Sequence, residues 1–363
     1  MNLITPRVFI AATRQNDGKT TTSLGLLSAL QNQFPRIGYI KPVGQRFVEI
    51  AEHKIDEDTV LMDAVYKLNC PLVDMSPIAV EPDFTRKYLA ETNNDTLVRR
   101  IQKSFDRVAW EKDFVLCEGS GHAGVGAVFD LSNAQVAKVL GAKVVLVTRG
   151  GIGKPVDEVA LNQALFEKHG VEVIGVIINK VLPDKLDYIA EFTRKGLKRK
   201  GLELLGVLPL QPILVKPTLA TIRDELAAEN LSARKRLTQL VEDIVVAAMG
   251  ADHVAKHFRR GTLIITPGDR EDIVLAAAAA QANPDEALSG LVLTDDLRPS
   301  PATMEVIRKL DFPVLLAAED SYEVASKVHD IIVKTRPDDA EKIAVIRDLI
   351  AQHVDVAKLV GAL

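Results

Sequence analysis

The chain has little that would suit a secreted, membrane-embedded or polyanion-binding protein. It holds two cysteines, Cys70 and Cys117, in no recognisable pairing or metal motif. That leaves no disulfide framework and fits a reducing cytoplasm. Aromatic residues make up 5%, so its cores must be layers of Leu, Ile, Val and Ala. No apolar run approaches the roughly 20 residues of a membrane-spanning helix. Residues 273–282 come nearest and are too short. The N-terminus lacks the basic and apolar regions of a secretory signal. Lys and Arg (45) do not outnumber Asp and Glu (49), and the net charge is −4. Neither nucleic acid nor a membrane is therefore expected as a partner.

What is present is a chain of 363 residues, 47% of them hydrophobic, in which short apolar runs alternate with helical segments. That length fits two domains. Strands are expected at Val8–Ala12, Ile37–Pro42, Phe114–Cys117, Val144–Thr148, Val173–Asn179 and Leu204–Pro209. Their near-continuous apolar character suits strands covered on both faces. Helical patterns lie between them, at residues 20–33, 58–68, 95–109, 132–140, 155–169 and 185–200. Such alternation predicts an α/β fold, a doubly wound and mainly parallel sheet with ligands at the carboxyl ends of its strands. The polar stretches after the strands, residues 13–19, 41–46, 118–126, 149–154 and 179–182, should converge on one edge.

A boundary is expected within residues 215–250, dividing the chain into domains 1–235 and 236–363. The reading there is helix over Thr218–Ala233 and again over Leu237–Met249. A second, smaller α/β alternation comes next, with strands at Thr262–Thr266, Gly290–Thr294 and Pro313–Ala317 and a last helix at Ala340–His353.

The most informative stretch is the run from Val8 to Thr21. An apolar strand enters a polar turn, then Gly18-Lys19-Thr20-Thr21, then a helical run with Leu24, Leu27 and Leu30 on one face. This is the strand–loop–helix setting of a P-loop, although Thr13 replaces its first glycine. Backbone N–H groups and the helix dipole face an anion there, and Lys19 adds a mobile charge. Nucleotide contacts are expected from Thr13, Asn16, Asp17, Gly18, Lys19, Thr20 and Thr21, with the Thr20 hydroxyl on Mg²⁺.

Further candidates sit at other strand ends. Glu118, straight after Phe114–Cys117, is placed to face a bound metal. Lys41-Pro42 puts a cation near the loop, where it can stabilise a phosphoryl group or an acceptor carboxylate. Asp58 reads either as a helix N-cap or as a second metal ligand. Asn179 has the donor and acceptor to read an adenine edge. His122, in a glycine-rich loop, is an acid/base or a solvent-facing turn residue. Arg14 either reaches a partner subunit's nucleotide or stays on its own loop. His253 and His257 are four apart but lack a third ligand, so surface positions are expected.

The segments from Ala12 to Thr20 and from Gly38 to Val43, with Glu118-Gly119-Ser120-Gly121, Asn179 and Leu205–Pro209, resemble dethiobiotin synthetase in the same order. That family is a homodimeric, Mg·ATP-dependent ligase that activates a carbamate through a mixed phosphoric anhydride. The resemblance extends to about Val215 and implies catalytic roles for Lys19, Lys41 and Glu118. It also implies Mg²⁺ on Thr20, Glu118 and Asp58, and adenine on Asn179. The chain departs from the family at Arg14-Gln15-Asn16, at Gly44-Gln45-Arg46 and at the inserted His122, so a different substrate is expected.

Over its whole length the chain resembles the non-catalytic N-terminal region of long-form bacterial phosphate acetyltransferases. There a dethiobiotin-synthetase-like domain precedes a DRTGG domain. The second domain is carried by His257–Thr266, Gly268–Asp272 and Leu291–Thr294, its naming residues surviving as Asp269-Arg270 and Thr294 with Asp295-Asp296 in place of the two glycines. The resemblance implies a nucleotide-responsive regulatory or sensor protein without the acetyltransferase catalytic region, binding ATP and Mg²⁺ and forming a homodimer or higher homo-oligomer. The alternatives are an ATP-dependent ligase acting on a small carboxylate or carbamate, and a dimer-switching ATPase of the partitioning type.

Overall fold

The computed structural model describes residues 2–232 and 237–363. It divides into two compact units, Met1–Gln211 with Thr335–Leu363, and Pro212–Lys334. The boundary expected between residues 235 and 236 falls outside the described residues. The observed division also differs from the expected one, because the last segment belongs to the first unit.

In the first unit the apolar runs form β1 (Arg7–Ala12), β2 (Ile37–Ile40), β3 (Phe114–Glu118), β4 (Lys143–Arg149), β5 (Val173–Val181) and β6 (Leu204–Pro209). They make a six-stranded sheet in the order β6-β5-β4-β1-β3-β2, parallel at every pairing. Strands β1 and β3 are buried along their whole length, as the unbroken apolar runs require. From β1 the chain goes out to the edge strand β2 and returns to fill the gap with β3. It then crosses to β4, β5 and β6 on the other side of β1, so the direction of the connections reverses between β1 and β3. That reversal leaves a crevice at the carboxyl ends, the usual ligand position in such sheets.

Four helices of this unit border the crevice or back it. They are α1 (Lys19–Leu30), α2 (Glu57–Tyr66), α3 (Gly153–Lys168) and α4 (Ala340–His353). The return of the C-terminal segment has a packing cause. A Cβ on Gly25 of α1 would lie 2.2 Å from Ile350 Cγ1 and 2.9 Å from the Ile346 carbonyl, so the absence of a side chain lets α4 lie directly against α1. Ile343, Ile346, Leu349 and Ile350 are buried on α4. Two antiparallel strands, the largely exposed Phe47–Ile50 and His53–Asp56, whose last two residues are buried, lead into α2 and were not foreseen from the sequence.

The second unit holds β7 (Glu229–Asn230), β8 (Asp243–Val246), β9 (Thr262–Pro267), β10 (Gly290–Thr294) and β11 (Val314–Leu316). Their order is β7-β11-β10-β9-β8, parallel except for the β7–β11 pair. The doubly wound, mainly parallel α/β class followed by a smaller α/β unit is what forms. One expectation fails here: residues 237–249 are not a helix. The β-branched Ile244-Val245-Val246 pairs with Leu263-Ile264-Ile265, and sheet hydrogen bonding with apolar burial overrides a weak helical pattern. The helix expected over residues 218–233 is shortened to Leu219–Glu225, and Ala233 lies outside the described residues.

Among the described residues, no helix is long and apolar enough to cross a membrane.

Candidate functional site

The loop between β1 and α1 turns through two left-handed residues, Asn16 at φ 62° and Gly18 at φ 104°. A Cβ on Gly18 would lie 2.0 Å from Asn179 Nδ2, so glycine is needed for space as well as for conformation. The loop is held at four points. Thr13 Oγ1 donates to Asp17 Oδ2 at 2.9 Å, and Arg149 Nε lies 3.1 Å from Asp17 Oδ1. Asn179 Nδ2 donates to the Asp17 carbonyl at 2.9 Å, and Lys180 Nζ donates to the Asn16 carbonyl at 2.7 Å. Burial pulls the Lys180 ammonium below its ordinary value, and the nearby Arg149 charge adds to the effect.

Helix α1 starts with no side-chain cap and no acidic residue in its first turn. Its first N–H groups have no partner within the helix, and the dipole adds positive potential at the same place. Lys19 and Thr21 are half-buried in this turn. Desolvation lowers the Lys19 ammonium, and the Glu118 charge opposes that shift. An anion would satisfy the N–H groups and Lys19 together.

Three strand ends meet beside this turn. Glu118, closing β3, is fully buried; it accepts from Thr20 Oγ1 at 3.0 Å and from the Tyr39 hydroxyl at 3.1 Å. Lys41, just past β2, is 8% exposed. Its ammonium contacts Asp58, lies 3.0 Å from Asp56 Oδ1 and 3.9 Å from Glu118 Oε1. Burial, followed by the Asp58 charge, pushes the Glu118 carboxyl up to about 7. Desolvation works to lower Lys41, yet Asp58, Asp56 and Glu118 outweigh it and hold its ammonium above the ordinary value. Burial of Tyr39, with the Glu118 charge beside it, raises its phenol well above the usual range.

The residues predicted from sequence are thus largely brought together. Thr13, Asp17, Gly18, Lys19, Thr20, Lys41, Asp58, Glu118 and Asn179 line one crevice or brace it. Asn179, expected to read adenine, gives its Nδ2 to the loop and accepts from Lys180 N at 2.8 Å. Asp58 is not the helix cap; Asp56 caps α2 by accepting from Asp58 N, because Asp56 has the extended backbone a cap requires. Arg14 pairs with Glu158 of α3 within the chain. His122 is exposed, its Nδ1 accepting from Gly124 N at 3.2 Å. His253 and His257 are exposed.

Sequence reasoning missed Asp56, Tyr39, Arg149, Glu158 and Lys180. Arg149 and Lys180 lie in polar stretches expected at this edge but without an assigned role, and Asp56 stands two residues ahead of Asp58 at the start of a helix. Tyr39 and Glu158 left no local signal.

Among the described residues, no group of three or more His, Cys, Asp or Glu is arranged to hold a metal by itself. Mg²⁺, however, is commonly held by one or two carboxylates together with substrate phosphates and waters. The hard oxygen donors of Thr20, Glu118 and Asp58 fit that use, since all three lie around one crevice.

In the second unit Asp295 (φ 65°) and Asp296 (φ 52°) hold left-handed conformations that glycine would enter freely. Asp295 N donates to the Glu319 carbonyl at 2.9 Å, and Asp296 N to the Ala317 carbonyl at 3.0 Å, so the turn is fixed without glycine.

Comparison with known proteins gives two family matches, the AAA domain over residues 6–218 and the DRTGG domain over residues 221–331. Phosphate acetyltransferase of Nitratidesulfovibrio vulgaris is 27% identical over 365 residues, covering 97% of this chain and 51% of that protein. The Pseudomonas aeruginosa phosphate acetyltransferase is 30% identical over 367 residues, with 96% and 50% covered. The chain spans about half the length of the curated relatives it matches. Among solved structures, the MinC:MinD cell division protein complex of Aquifex aeolicus aligns at TM-score 0.37 and 15% identity, over 58% of this chain and 83% of that chain.

Proposed function

Since the chain belongs to the AAA domain family over residues 6–218 and carries a DRTGG domain over residues 221–331, we propose that it binds ATP with Mg²⁺ at the loop Thr13–Thr20. It acts as a nucleotide-responsive regulatory or sensor protein, related to the N-terminal region of phosphate acetyltransferases. One observation carries this reading: the uncapped first turn of α1 lies beside Lys19 and beside a Thr20 hydroxyl joined to the buried Glu118. The N–H groups and Lys19 would take the phosphates. Thr20, Glu118 and Asp58 would hold Mg²⁺, which when bound neutralises phosphate charge. The second unit would serve self-association in a cytoplasmic homodimer or higher homo-oligomer.

The test is thermal melting of the full chain with and without Mg·ATP. A ligand that binds only the native state raises stability by mass action. Lys19→Ala should abolish the shift; a shift that survives the substitution puts the nucleotide elsewhere.

A second reading is an ATP-dependent ligase that phosphorylates an unidentified small carboxylate or carbamate. What favours it is the assembly of Lys19, Lys41, Thr20 and Glu118 in one crevice, which a pure binding module does not require. Phosphate release measured across a panel of acids separates the two, since only the ligase shows acid-dependent turnover.

A further inference from the structure

Asp56 is buried as deeply as Asp17 and Glu118, the most buried of the acids singled out from the sequence. It is 2% exposed. Its Oδ1 accepts from Asp58 N at 3.0 Å and lies 3.0 Å from the Lys41 ammonium. Its backbone N–H donates to Ser76 Oγ at 3.0 Å. Its Oδ2 is buried without a hydrogen-bond partner, packed where a Cβ on Gly44 would come within 2.5 Å. A buried carboxylate with one bare oxygen depends on its single cation, and removing that cation is costly. Lys41 is held from the other side as well, since its own N–H donates to the Met75 carbonyl at 2.8 Å.

We propose that Asp56 is a positioning residue that fixes Lys41 as an internal counter-ion, so that the crevice presents net negative charge to the nucleotide's cation and takes no anionic acceptor. Counting the ionised groups nearest Lys41, Lys19 and Lys41 stand against Asp56, Asp58 and Glu118, an excess of one negative charge, while Asp17 beyond them is paired with Arg149. A free acceptor carboxylate would have to draw Lys41 from a pair whose other member cannot reach water. A divalent cation instead meets the surplus charge directly. This deepens the nucleotide reading and rests on it, and it argues against the ligase alternative.

The test uses the full chain at pH 8. ATP affinity is measured by calorimetry in EDTA and again in excess Mg²⁺, for the parent, Asp56→Asn and Asp56→Asn with Lys41→Met. Asparagine keeps the α2 cap, so the variant retains its fold. Asp56→Asn should bind metal-free ATP about tenfold more tightly, because one negative charge near the phosphates is gone. Its gain from Mg²⁺ should shrink accordingly. The double variant restores the charge balance and should regain the parent's Mg²⁺ dependence. Equal weakening in both conditions, the signature of a merely structural role, or an unchanged Mg²⁺ gain overturns the proposal. On the parent alone, acetate, succinate and bicarbonate should add no thermal shift at saturating Mg·ATP, and a shift with any of them also overturns it. A parent that binds no ATP in either condition removes the nucleotide reading itself.

Discussion

The Thr20 hydroxyl donates a 3.0 Å hydrogen bond to Glu118 Oε1, joining the first turn of α1 to the end of β3. Both oxygens are hard donors, so a cation entering with phosphates competes for the same pair of atoms. Thr20→Val keeps the side chain's shape and removes the hydroxyl. It should lower Mg·ATP affinity about tenfold or more while leaving binding in EDTA nearly unchanged, and should cost roughly 1 kcal/mol of stability. Calorimetric titration in the two buffers checks this. Equal losses in both would assign Thr20 to loop shape alone.

The pH dependence of stability follows from Glu118. Burial, followed by the Asp58 charge, raises its carboxyl from 4.5 to about 7. The folded state therefore holds this proton more firmly than the unfolded chain does. Stability from this group is present in full below about pH 4.5 and is lost as pH rises towards 7, by up to about 3 kcal/mol. Asp56, raised chiefly by its own burial, contributes in the same sense. Melting of the unliganded protein should thus fall across this window, and Glu118→Gln should flatten part of the fall. An unaltered slope in that variant would place the titration elsewhere.

Asn179 offers a way to separate bracing of the loop from reading of the base. Its amide donates to the Asp17 carbonyl at 2.9 Å and fills the space beside Gly18. If it acts as a brace, Asn179→Ala weakens ATP, GTP and inorganic triphosphate alike, by about tenfold, because a buried carbonyl loses its donor. Competition against a fluorescent nucleotide measures all three. A loss confined to ATP would make Asn179 an adenine contact.

Much of this site was readable along the chain because its parts are local. The Gly18-Lys19-Thr20 spacing, the apolar runs that become buried strands and the polar residues after each strand all sit within short windows. Parallel strand order then brings those windows to one edge. What escaped was the pairing between windows. Arg149 with Asp17, Lys180 with Asn16 and Arg14 with Glu158 join residues more than a hundred positions apart. The cap of α2 shows a subtler limit: Asp56 and Asp58 both satisfy the sequence rule, and only the backbone at Asp56 decides between them. Residues 237–249 show periodicity losing to pairing, where Ile244–Val246 finds a parallel neighbour in β9. The return of α4 to the first unit has no local signature, since Gly25 gains its meaning only from Ile350.

That last contact leads to a prediction about where the first unit ends. Helix α4 buries Ile343, Ile346, Leu349 and Ile350, and Gly25 lets it lie against the helix that follows the phosphate loop. Each buried aliphatic side chain is worth about 1.5–3 kcal/mol. Ending the chain after Lys334 removes all four and bares the matching face of α1. A cut near Gly250, although it removes most of the second unit, takes α4 away as well. Both truncations should therefore lose cooperative melting of the first unit together with its Mg·ATP shift. Gly25→Val in the full chain should lower the melting temperature in the same direction, since its branches meet Ile350 and the Ile346 carbonyl. Scanning calorimetry with and without nucleotide distinguishes the outcomes. A truncation at Lys334 that still melts cooperatively and still responds to Mg·ATP would show that α4 is dispensable to the loop it backs.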